Sequence, residues 1–125
     1  MSSKNPSPKE VVRAYLAAFF QGGPDVEAVR ALLTDDFTFQ GPLMTAGSAD
    51  DFIAQLTGMS QSMAGLQVEI HHVIADGDAD GDTVAALYDF VTPMGNMPFA
   101  EWYWVRGDRI SAIKLHYDPR PMLGG

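Results

Sequence analysis

Four aspartates at alternate positions, Asp76, Asp78, Asp80 and Asp82 in "ADGDADGDT", form the densest set of metal-type ligands in the chain. A calcium loop of the EF-hand type needs oxygen ligands through position 9 and a bidentate carboxylate at position 12. Counted from Asp76, Asp78, Asp80 and Gly81 fall where such a loop wants them, but those two later positions are Val84 and Leu87. The flanks alternate with period two instead of forming helices, so the stretch reads as a polar hairpin turn. His71 and His72 are neighbours in an extended run, and successive strand residues point to opposite faces. They are therefore not expected to share a metal, and His72, in parity with Val68, Ile70 and Ile74, reads as a half-buried histidine. Together with His116 they make three histidines with no zinc-type spacing, and the chain has no cysteine. No metal and no cofactor are expected. That leaves Asp89 in "ALYDFV" and Glu101 in "FAEWYW" as carboxylates set in apolar runs, where a lone charge is costly to bury and therefore informative.

The elements that must position these groups can be read from the period of the apolar residues. Ser7, Pro8 and Glu10 form a capping box, and Val11, Val12, Tyr15, Leu16 and Phe19 follow at helical spacing up to Gly22 and Gly23. A shorter helix follows in "PDVEAVRALLTDD", capped by Asp25, with Val26, Val29 and Leu33 on one face. "DFTFQGP" reads as a short strand stopped by Gly41 and Pro42. A third helix starts at Ser48, with Asp51 in the capping-box position and Phe52, Leu56, Met59 and Met63 as its stripe. After Leu66 the period changes to two, and "LQVEIHHVIAD", "DTVAALYDFVTP", "MPFAEWYWVRG" and "DRISAIKLHYD" read as four strands joined by short turns. The fold class is α+β: a curved antiparallel sheet with helices on one face.

The 125 residues suit a single domain, and 46% hydrophobic with 19% charged residues suits a soluble one. The net charge of -8 argues against nucleic acid and against an anionic membrane surface as partners. No apolar run approaches the roughly 18 residues of a membrane span, and the first residues hold no apolar signal segment, so a cytoplasmic home fits.

With this order of elements the chain resembles the NTF2-like superfamily, and within it the SnoaL-like proteins, from about Ser7 to Met122. "LLTDDFTFQGP", "SADDFIAQL" and "WVRGDRISAIKLHYDP" carry the resemblance. It implies a cone, in which a strongly curved sheet wraps around helices and leaves a pocket open at one end. Relatives include ketosteroid isomerase, limonene epoxide hydrolase and polyketide cyclases, so the fold does not assign an activity. Compared with ketosteroid isomerase, Tyr15 matches the tyrosine that donates to the substrate oxygen. Glu101 falls near the second, protonated acid, and the general base falls at Gly41. Compared with limonene epoxide hydrolase, Asp89 matches one aspartate. The arginine and the other aspartate are replaced by Leu87 and Leu115, and the two water-holding residues by Phe39 and Gly41. The aspartate and histidines of the SnoaL-like cyclases point to Asp118 and His116 in the last strand.

If Asp89 faces the pocket, so do Ala85, Leu87 and Val91, whereas Tyr88 and Phe90 face the convex side. Phe99, Glu101, Tyr103 and Val105 would face in, as would Ile113, Leu115 and Tyr117, with Trp102, Trp104, Lys114 and His116 facing out. Two acids in an apolar cavity share protons, so one can serve as base and the other as acid. On this reading Asp89 is the base, and Glu101 with Tyr15 or Tyr103 stabilises an oxyanion. The alternative is that tyrosine hydroxyls merely satisfy each carboxylate and that Tyr15 is plain core. Phe19, Phe39, Met59, Met63, Tyr103, Leu115 and Tyr117 are the expected ligand contacts, the two methionines being core in the simpler reading. The expected function is cofactor-free isomerisation, cyclisation or hydration of a small apolar carbonyl compound, or else non-catalytic binding of a hydrophobic ligand or dimerisation alone. A convex patch of Tyr88, Phe90, Trp102 and Trp104 would favour a homodimer packed sheet on sheet.

Overall fold

The computed structural model describes residues 7–20, 24–63, 67–75, 83–92 and 95–120, the side chains of 60–63 and 92 excepted. The aspartate-rich turn, Gly22, Gly23 and the Met63 side chain lie outside the described residues. Helix α1 runs over Pro8–Phe20, α2 over Val26–Ala31 and α3 over Ala49–Met63. The strands are β1 Leu33–Gln40, β2 Thr45–Ala46, β3 Gln67–Ala75, β4 Thr83–Thr92, β5 Gly95–Arg106 and β6 Arg109–His116. None of these helices is long and apolar enough to cross a membrane.

The helix starts form as the sequence expects. Ser7 N–H donates to Glu10 at 2.8 Å while Glu10 N–H donates to the Ser7 hydroxyl at 3.2 Å, a reciprocal capping box. Asp25 accepts from Ala28 N–H at 3.1 Å, and Ser48 from Asp51 N–H at 3.0 Å. Helix α2 is shorter than expected. Leu33 leaves its face to begin β1 and pairs with Ile110, because Ile110 N–H donates to Leu32 C=O at 2.7 Å and draws the chain into the sheet.

The six strands form one sheet in the order β2-β1-β6-β5-β4-β3. β3 to β6 pair antiparallel in sequence order, and β1 lies parallel to β6. β2, a two-residue strand against β1, has too little pattern to be read from sequence. β5 and β6 are joined by a two-residue turn whose Gly107 has φ 67°, a left-handed conformation that suits glycine.

Cross-strand partners share a face. Phe39, Ile113, Tyr103 and Val84 make one buried row across four strands, and the partly buried Leu115 with buried Glu101 and Ala86 makes the next. The helices cover this inner face. Tyr15 of α1 meets Tyr103 edge-on at 5.9 Å, and Phe52 of α3 packs on Phe37 and Phe39 at 5.1 Å each. Burying such rings contributes roughly 1.5–3 kcal/mol per side chain, so the contact of α1 and α3 with the sheet holds the molecule together.

Candidate functional site

Between the helices and the inner face lies a cavity of about 510 Å³, within the range of roughly 300–1,000 Å³ usual for small-molecule pockets. α1 contributes Tyr15, Phe19 and Phe20 to its wall, and α3 contributes Phe52, Leu56 and Met59. Phe39 of β1 and the stretch from Gly41 to Met44 close one side. Tyr88 and Phe90 of β4, Met97, Phe99 and Glu101 of β5, Leu115 of β6 and Tyr117 complete the wall. Among these described residues Glu101 is the sole charged side chain.

Glu101 is 4% exposed, and the phenols of Tyr88 and Tyr103 both donate to its Oε1, the Tyr88 bond measuring 2.9 Å. Burial pushes its pKa from 4.5 to about 7, opposed by the hydrogen bonds from Tyr103 and Tyr88. Loss of solvent and, second, the Glu101 charge hold the Tyr15, Tyr88 and Tyr103 phenols well above their ordinary range, so they act as donors. Tyr117, half-buried in the wall, is raised by burial alone. A carboxyl poised near pH 7 can give or take a proton, and the phenols beside it can donate to an oxygen.

The structure corrects the facing of β4. Val84, Ala86 and Tyr88 are buried, whereas Leu87 and Val91 are 38% and 39% exposed. Asp89 therefore points away from the cavity, where its Oδ2 lies 3.2 Å from His71 Nε2. Tyr88 and Phe90, expected on the convex side, line the cavity and pack on Phe20 at 5.8 and 5.6 Å. The pattern carried the signal: Val84, Ala86, Tyr88 and Phe90 form an unbroken apolar set, and the alternate set holds the strand's only charge. An even-numbered inward face would have found Tyr88 and Phe90.

β5 and β6 have the expected facing, with Phe99, Glu101, Tyr103 and Ile113 buried and Trp102 and Trp104 exposed. Phe19, Phe39, Met59, Leu115 and Tyr117 line the cavity, as does Tyr15. Tyr103, expected as a ligand contact, is fully buried behind the wall and serves as a partner of Glu101. Gly41 has no side chain to act as a base. A Cβ there would lie 3.1 Å from the Phe39 ring, which fills that part of the pocket. Asp118 is engaged at the surface with Arg120 at 2.7 Å, which holds its carboxyl below the usual range. His116 lies on the outer face, across from Ala100.

β3 holds a further correction. Ile70 pairs with Tyr88 but His72 pairs with Leu87, so His71 is an extra residue in a bulge and the parity changes there. His72 is exposed rather than half-buried, and His71 and His72 border the same outer cleft instead of opposite faces.

A model of the SnoaL-like domain matches residues 12–113. No match was found among curated proteins. Among solved structures, an NTF2-like protein of unknown function from Cytophaga hutchinsonii superimposes with a TM-score of 0.77 at 18% identity, covering 98% of this chain and 99% of its own. A candidate polyketide cyclase from Pseudomonas putida gives 0.74 at 19% identity, over 95% and 97%. A protein with a ketosteroid isomerase-like fold from Catenulispora acidiphila, in complex with trimethylamine, gives 0.68 at 21% identity, over 90% and 88%. At these identities the structures show a shared fold, that of the NTF2-like proteins, and the family model covers most of the sequence: the chain belongs to the SnoaL-like family.

Proposed function

We propose that this chain binds a small apolar carbonyl compound in the cavity and that Glu101 carries out cofactor-free acid-base chemistry on it. The observation behind this reading is a buried carboxyl, poised near pH 7 and the sole charged group among the described lining residues, set with phenols in a largely apolar cavity of about 510 Å³. In this scheme the Glu101 carboxylate takes a proton from the carbon beside the carbonyl. The phenol of Tyr15 donates to the oxygen as negative charge collects there. The protonated Glu101 then returns the proton to another carbon, so the net reaction is an isomerisation with no other reactant. A cone open at one end, as the family resemblance implies, gives the ligand its way in.

The test has two stages. A panel of small ketones and enones, with trimethylamine included, is screened by thermal shift, and bound carbonyl compounds are followed by NMR in deuterated water. Glu101→Gln is expected to keep binding within a few-fold and to slow exchange of the carbon-bound proton by roughly 10²–10⁴. Binding without exchange in the parent protein would leave a hydrophobic-ligand carrier, the reading favoured by the missing second carboxylate. Exchange that survives in the variant removes Glu101 from the mechanism.

We also propose a homodimer through the outer sheet face. Its support is the exposure of Trp102 and Trp104, at 43% and 38%, on a strand in the middle of the sheet.

A further inference from the structure

The outer face of the sheet carries a second group of ionisable side chains that the cavity chemistry does not use. Glu69 and Asp89 are direct cross-strand partners on β3 and β4. Like charges in that position destabilise a sheet unless something positive lies between them. The bulge in β3 places His71 beside them: its Nε2 lies 3.2 Å from Asp89 Oδ2 and 3.7 Å from Glu69 Oε1. The three ligand atoms lie within 4.8 Å of one another.

We propose that Glu69, His71 and Asp89 form a binding site for a divalent metal ion of the zinc type. Nitrogen and carboxylate oxygen bind zinc at about 2.0–2.2 Å, which sets tetrahedral ligand atoms roughly 3.3–3.5 Å apart. The two distances from His71 fall on either side of that spacing. The Glu69 side chain is 63% exposed, so a torsional change can bring its oxygen closer to Asp89. One imidazole with two carboxylates suits zinc, cobalt or nickel rather than calcium, which takes six or more oxygens. Three protein ligands leave a fourth position for water, and the adjoining cleft, bordered by His72 and His116, gives that position room. The chain spacing hides this set, because Asp89 joins Glu69 and His71 only through strand pairing.

Calorimetric titration of the tag-free protein with Zn²⁺, and the visible absorption of added Co²⁺, test the site. One ion per chain is expected. His71→Ala and Asp89→Asn should each weaken binding by at least about tenfold, Glu69→Gln should weaken it less, and His116→Ala should change it less than twofold. All four positions are at the surface or partly exposed, and thermal unfolding of each variant checks that it folds. Absence of saturable binding overturns the proposal and leaves His71 as a simple neighbour of the two carboxylates. Binding that survives His71→Ala, or that is lost with His116→Ala, overturns it equally.

Discussion

Glu101 links the site to stability. In the folded chain it keeps its proton up to about pH 7, whereas its ordinary value is 4.5. Between those values the folded state binds more protons than the unfolded state, so stability falls as pH rises through that window. Full ionisation costs on the order of 3 kcal/mol relative to the protonated form. The shifts of Asp35, Asp36 and Asp118 run the other way, below 3.8, so their contributions are lost only as the pH falls beneath the window. Glu101→Gln removes the titration while leaving an oxygen for Tyr88 and Tyr103 to donate to. Urea unfolding at about pH 5 and about pH 8 should therefore show a smaller loss of stability in the variant than in the parent. Equal losses in the two would mean that Glu101 does not titrate in this range. Glu101 stood out in the sequence because it broke an apolar alternation in β5. Tyr88 did not, because its role depends on a partner in the neighbouring strand.

At the scale of elements, β4 offers a matched test of facing. Val84 is fully buried and Val91 is 39% exposed, on opposite faces of the same strand. Val84→Thr buries a hydroxyl in an apolar row and should cost about 1–3 kcal/mol. Val91→Thr should stay within about 0.5 kcal/mol. Thermal or urea unfolding measures both, and the reverse ranking would restore the facing in which Asp89 points inward. The helices were legible because capping residues and a 3.6-residue period report on the chain's own neighbourhood, as at Ser7, Asp25 and Ser48. Strands were legible as strands, but which face is buried is a tertiary property. In β4 both alternate sets are largely apolar, and its one carboxylate marks the outer set, the reverse of what a carboxylate among apolar neighbours implies. In β3 the bulge at His71 changes parity within the strand, and a period-two reading has no means of locating it. The β1–β6 pairing joins segments far apart in sequence, and β2 is only two residues long, so local pattern could not supply either.

At the scale of the molecule, the outer sheet face divides into two ends. Trp104 lies opposite Thr83 and Ala112, and Trp102 opposite Ala85 and Lys114; further along come Leu87 with His116, and then Asp89. Ala85, the partner of Trp102, lies four positions before Asp89 in β4, about 13 Å along the strand. The centre of a dimer contact on the tryptophans is thus offset along the strand from the Glu69–His71–Asp89 group. Turning Tyr88 and Phe90 inward makes the expected patch smaller, leaving Trp102 and Trp104, with Ile74 also exposed at 52%, as its apolar anchors. Indole rings carry much of the energy in interfaces of this kind. A net charge of -8 works against self-association, so the contact should tighten as salt screens the repulsion. Light scattering and sizing at micromolar concentration are expected to give twice the mass of 13.6 kDa. The double variant Trp102→Lys, Trp104→Lys should give the monomer mass while retaining the parent's ligand binding, because both side chains point away from the cavity. A parent protein that is monomeric in low and high salt removes the dimer, and the exposed tryptophans would then need another role.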